Sequence, residues 1–76
     1  MLELQELARS GPPWARERAA MALAIMSQYE GGGLDLDEYQ ELMRDLVRSD
    51  ALNAQADDQE VKNLLVSCVM IGAKLA

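Results

Sequence analysis

The chain has 76 residues, of which 50% are hydrophobic, and it carries 13 acidic side chains against 7 basic ones. It contains no histidine and a single cysteine. This composition excludes a Ser-His-Asp triad, a Cys-His catalytic pair, imidazole metal sites, an internal disulfide and a CxxC redox pair. We therefore predict a protein that is not an enzyme, with no cofactor, no metal and no small-molecule substrate.

The short length predicts a single helical domain covering residues 1–76. A chain of this size buries a modest share of its surface, so we expect its fold to be completed by oligomerisation. The formal net charge of -6 argues against direct nucleic-acid binding, which depends on clustered Lys and Arg. No secretory pattern or bilayer-length apolar stretch is visible. We expect a cytoplasmic protein that does not contact membranes.

The spacing of apolar residues predicts four helices and no strands. The first covers Leu2 to Arg9 and stops at residues 10–13, because a residue that precedes proline is pushed out of the helical conformation. The second opens at Pro13, a favourable first-turn position for proline. Three consecutive glycines, residues 31–33, then favour its termination near Glu30.

The third predicted helix has the clearest local signature in the chain. Asp35 and Glu38 have the spacing of a capping box, and Leu34 can pack on Tyr39 as a hydrophobic staple. An amphipathic surface helix follows. Its predicted apolar face comprises Leu36, Tyr39, Leu42, Met43, Leu46 and Val47.

Residues 49–56 are interpreted as a connector with room for a helical turn near Leu52. The fourth helix then starts near Asp57 and Asp58, acids that suit the positive end of the helix dipole. Its apolar spacing continues to Leu75. The predicted fold is all-α: a small four-helix bundle with three long helices and one short N-terminal helix, completed by oligomerisation.

Residues 32–39, with the sequence GGLDLDEY, resemble the second half of an EF-hand loop and the start of its exiting helix. The resemblance implies a calcium ligand at Glu38 and helix packing by Tyr39. The first half departs from the family's pattern, since Ser27, Tyr29 and Gly31 occupy the positions where calcium needs its early oxygen ligands. A helical hairpin with a capping box explains the same residues without a metal, and it is the structure we predict.

The second and fourth helices hold more apolar surface than a four-helix monomer can hide. The leading hypothesis is a non-enzymatic protein–protein interaction module that acts as a homo-oligomeric adaptor or regulator. It binds protein partners, first of all further copies of itself, by docking apolar helix faces. The predicted interface residues are Trp14, Met21, Ile25, Leu64, Leu65, Cys68, Ile71 and Leu75.

Two alternatives to this hypothesis remain open. In the first, the protein is a small acidic inhibitor of the phage type that covers a basic surface of a nucleic-acid enzyme. In the second, it is a structural component of a larger particle. Clustering of the acids on one face favours the inhibitor, whereas dispersal favours a solubilising role. The predicted acidic contact face comprises Asp35, Asp37, Glu38, Glu41, Asp45, Asp57, Asp58 and Glu60.

Overall fold

The computed structural model describes residues 2–48, 52, 54 and 56–75. This part of the chain contains no strand and has four helices: α1 (Leu2–Ser10), α2 (Pro13–Glu30), α3 (Leu36–Arg48) and α4 (Gln59–Leu75). The predicted all-α fold, with one short and three long helices, is confirmed. The connector prediction falls mostly outside the described residues. Within it, Leu52 is helical and buried, and its carbonyl accepts a hydrogen bond from the Ala56 N–H at 2.8 Å.

The predicted end of α2 is a Schellman motif. Gly32 adopts a left-handed conformation with φ +82, which glycine tolerates because it has no Cβ. The Gly33 N–H donates to the Gln28 carbonyl at 2.9 Å, and the Gly32 N–H donates to the Tyr29 carbonyl at 3.1 Å. Both bonds satisfy carbonyls at the end of the helix, and the chain reverses into α3.

The predicted capping box at the start of α3 is confirmed. The Glu38 N–H donates to Asp35 Oδ1 at 2.8 Å, and the Asp35 N–H donates to Glu38 Oε1 at 3.3 Å. Asp58 caps α4 in a similar way, since its Oδ1 accepts from the N–H groups of Glu60 at 3.0 Å and Val61 at 3.2 Å. Local hydrogen bonds therefore define where both helices begin.

Helices α2 and α4 lie at the centre of the bundle, because each packs against all three of the other helices. Helices α1 and α3 flank this central pair. The core takes side chains from every helix and from Leu52. Its buried members are Leu4, Leu7, Trp14, Ala15, Ala19, Ala22, Tyr39, Met43, Leu46, Leu52, Leu65, Cys68, Val69 and Ala73.

The start of α3 is joined to the end of α4 by two side-chain hydrogen bonds. The Tyr39 hydroxyl donates to the Gly72 carbonyl at 2.8 Å, and Gln40 Nε2 donates to the Ala73 carbonyl at 3.3 Å. Carbonyls in the last turn of a helix run out of donors from their own helix, so α3 supplies donors from outside. Tyr39 also stacks on Tyr29, with ring centroids 4.4 Å apart. The two hydrogen bonds place the start of α3 beside the end of α4.

Candidate interaction surfaces

Trp14 is a core residue and not an interface anchor, which corrects the prediction. Its side chain is 8% exposed, and its indole Nε1 donates to Asp57 Oδ1 at 3.2 Å. The indole N–H is thus satisfied where the ring is buried. The contact ties the start of α2 to the residues just before α4.

Leu65 and Cys68 are also buried within the chain, at 0% and 5% exposure, so their prediction as interface residues is corrected too. The buried side of α4 also includes Val69, which is fully buried, and Ala73. Burial raises the pKa of the Cys68 thiol, and the negative charge of Glu3 adds to this effect. The thiol therefore holds its proton more tightly than an ordinary cysteine does, which disfavours nucleophilic attack.

The remaining predicted interface residues lie outside the core or at its border. Met21 is 53% exposed, Leu64 is 44% exposed and Ile71 is 51% exposed, whereas Ile25 is half-buried. The side chain of Leu75 lies outside the described residues. The core-facing residues of α2, besides Trp14, are Ala15, Ala19 and Ala22.

The first exposed apolar surface runs along α4. We call it the α4 stripe and define it by residues that are all exposed: Glu60, Leu64, Ser67, Ile71 and Lys74. Their spacing of three or four residues places them on one side of the helix.

The stripe continues onto α1 through a shallow groove whose walls include Leu2 and Leu64. Leu2 is 69% exposed. This border supplies apolar area beside the α4 stripe.

The second surface is a groove between α2 and α3, here called the α2–α3 groove. Its apolar lining consists of Met21, Ile25, Leu42 and Leu46. Leu42 was predicted to face the core, but it is 39% exposed because it lies at the edge of the buried face of α3. Position on a helical face alone does not reveal such an edge, so sequence reasoning missed this groove.

All eight predicted acidic contact residues are exposed. Asp35 and Glu38 form the capping box, Asp57 accepts from Trp14, and Asp58 caps α4, so half of the set has local structural roles. The set is also divided in space. Asp35, Asp37 and Glu38 lie near the end of α4, whereas Asp57, Asp58 and Glu60 lie at its start, about 25 Å away along a helix of this length. Glu41 and Asp45 lie between them on α3. The acids do not gather into one compact contact face.

The glycine-rich turn that resembles an EF-hand loop is built from the Schellman motif and the capping box described above. Among the described residues, no group of three or more Cys, Asp or Glu side chains is arranged to hold a metal ion. Over the same residues, none of the helices combines the length and apolar character needed to span a membrane.

Comparison with known proteins gives no relative for this chain: no family model, no curated protein and no solved structure matches it. Functional reasoning therefore depends on the two surfaces themselves.

Proposed function

We propose that the protein is a non-enzymatic interaction module whose α4 stripe pairs with the same stripe of a second copy. The observation that carries this proposal is the exposure of Leu64 and Ile71 on one side of a helix whose other side is fully packed. The two side chains are about two helical turns apart. Self-association removes both from water and gives a favourable hydrophobic contribution.

The order of residues along the stripe suits an antiparallel two-fold pairing. In a two-fold interface, if one residue contacts another, the reverse contact is also made. An antiparallel arrangement centred near Ser67 sets Leu64 of each copy beside Ile71 of the other. The same arrangement sets Glu60 beside Lys74. The small serine at the centre lets the helices approach closely.

The charge distribution also favours α4 as the meeting place of two copies. The chain has a net charge of -6, so two copies repel each other over most of their surfaces. Helix α4 has Glu60 as its only acid, balanced by Lys62 and Lys74. Two copies that meet along this helix therefore bring together segments of low net charge.

Sedimentation velocity across a concentration series tests self-association directly. The contact involves one helix per copy, so we expect a dimer with a dissociation constant in the range of about 1–100 µM, weaker than interfaces of about 800 Å² per partner commonly allow. Ile71→Lys places charge in the apolar centre and should give a monomer. The matched control, Met21→Lys, adds the same charge outside the stripe and should leave the dimer intact. A wild-type chain that stays monomeric throughout the series refutes the proposal.

The antiparallel register has its own test in charge reversal. Glu60→Lys and Lys74→Glu, made singly, each bring like charges together at both ends of the dimer and should weaken association by roughly three- to tenfold at low salt. The double reversal restores both pairs and should recover the original affinity. Additive weakening in the double variant would contradict this register.

A further inference from the structure

We propose that the α2–α3 groove binds an amphipathic helix of another protein, one whose apolar side chains are flanked by Lys and Arg. This partner differs from the second copy that the α4 stripe takes. The groove and the α4 stripe share no residue, so one chain can use both surfaces at once.

The floor of the groove has the character of a helix-binding surface. Leu46 and Ile25 provide a buried or half-buried base, and Met21 and Leu42 stand exposed on either side of it. Apolar grooves between two helices accept a third helix through anchors at spacings of three, four and seven residues. Met21 adds an adaptable wall, because its unbranched side chain adjusts to different anchor shapes.

The rim of the groove selects the charge of the occupant. Glu17 and Asp45 are part of its lining. On α3, Glu38, Glu41 and Asp45 recur at intervals of three and four residues, which makes them one acidic row along the helix. Glu38 and Asp45 are also four and three residues from Leu42, so this row borders the groove.

Arg18 is the basic residue in the lining, and its guanidinium donates to the Trp14 carbonyl at 3.1 Å. On α3, Arg44 lies three residues from Glu41 and Arg48 lies three residues from Asp45, so both arginines adjoin the acidic row on its side away from Leu42. The charged residues of α3 that lie next to Leu42 are therefore the acids Glu38 and Asp45.

This charge pattern distinguishes a basic helix from the other occupants of an apolar groove. A second copy seated here would bring together two patches of the same net negative charge, since Glu17 and Asp45 outnumber Arg18 in the lining and a two-fold contact uses the same patch on both copies. An anionic lipid surface is repelled by the same acids. A helix with Lys or Arg beside its apolar anchors gains both apolar burial and charge complementarity.

Three synthetic helical peptides with identical apolar positions test the proposal. Their flanking positions carry lysine, glutamine or glutamate, and binding to the intact chain is followed by fluorescence anisotropy. We expect the lysine peptide to bind at least about tenfold more tightly than the glutamine peptide, with the glutamate peptide weakest, and the difference to shrink at high salt as the Debye length falls. Equal affinities for the three peptides overturn the proposal.

Two variants locate the binding site. Leu42→Gln and the double reversal Glu41→Lys with Asp45→Lys should each weaken binding of the lysine peptide at least about tenfold. All three side chains are exposed on α3, so the fold is kept. Leu64→Gln, on the α4 stripe, is the matched control and should leave peptide affinity unchanged. Backbone amide shifts on peptide addition should be confined to residues 17–25 and 38–46. Amide shifts centred on α4 contradict the assignment of the binding site. If the Leu42→Gln substitution changes the sedimentation of the chain without any peptide, the groove is a contact between copies instead.

Discussion

Helices α2 and α3 form one antiparallel hairpin but fill the core in opposite ways. Apart from Trp14 in its first turn, helix α2 buries small side chains, Ala15, Ala19 and Ala22, and leaves the larger Met21 at the surface. Helix α3 buries the large side chains of Tyr39 and Met43. One helix thus stabilises the bundle by letting its neighbours approach closely, and the other by filling the space between helices.

A helix that is apolar on nearly all sides turns toward the core the face that its neighbours can approach most closely. In α2 that face is the alanine row, since α1 and α4 pack against the same helix. Close packing at near-crystalline density leaves no room to enlarge these side chains. The two helices should therefore respond to mutation with opposite size preferences.

The largest effect is expected where α3 fills the core. Met43 is fully buried, so Met43→Ala should lower the free energy of unfolding by about 3 kcal/mol through lost apolar burial and the cavity left behind. Urea unfolding followed by circular dichroism measures the change. Leu42→Ala, one position away at the edge of the groove, is the control and should cost markedly less. Equal losses of unfolding free energy at the two positions would contradict the distinction between a core residue and a groove residue.

A smaller effect, of opposite origin, is expected in α2. Ala19 is fully buried, so Ala19→Leu should destabilise the fold by about 2 kcal/mol through overpacking between α2 and its neighbours. Ala20→Leu adds the same atoms at an exposed position and should change stability by no more than about 0.5 kcal/mol. Thermal and urea unfolding report both values. A neutral or stabilising Ala19→Leu would mean that the alanine row is not closely packed.

The smallest effect concerns the hydrogen bond that joins α3 to the end of α4. Tyr39→Phe removes the hydrogen bond to the Gly72 carbonyl and should cost about 1 kcal/mol, because a buried acceptor loses its donor. Gln40→Ala removes the longer neighbouring bond to Ala73 and should cost less. Urea unfolding at neutral pH measures the loss of stability in each of the two variants.

The same tyrosine gives the stability a dependence on alkaline pH. Burial raises the pKa of Tyr39 above its ordinary value of 10.0, and the charge of Glu30 and the neighbouring Tyr29 add to the rise. A raised pKa means that the folded state holds the proton more tightly, so this contribution is complete below about pH 10 and is lost as the pH rises through the folded-state value. Unfolding measured from neutral to alkaline pH should show a shallower decline for Tyr39→Phe than for the wild type. If the free energy of unfolding declines equally with pH in both proteins, the titration of other groups causes the loss of stability.

The sequence predicted those elements whose signals are local. The capping box at Asp35 and Glu38 and the end of α2 at the glycines depend on neighbouring residues only. The buried face of α3 was also largely predictable, because polar and apolar residues separate cleanly around that helix. Of the predicted face, Tyr39, Met43 and Leu46 are buried. Leu36 and Leu42, which were also predicted to face the core, are exposed.

The burial pattern of α2 and α4 was not predictable in the same way. Both helices are apolar on several sides, so periodicity leaves more than one possible core face. The choice of alanines over Met21, and of Val69 over Leu64 and Ile71, depends on which neighbours pack against each side. The α2–α3 groove is a tertiary feature of the same kind. In the sequence alone, the acidic row on α3 is indistinguishable from an ordinary solvated helix face.

The hydrogen bonds from Tyr39 and Gln40 to the end of α4 connect residues that are 33 positions apart along the chain. Such a long-range connection requires a large loop to close before it forms. The last turn of α4 should consequently acquire its protection from hydrogen exchange together with the first turn of α3, as a single cooperative unit. In this way the docking of one helix determines when another helix is complete.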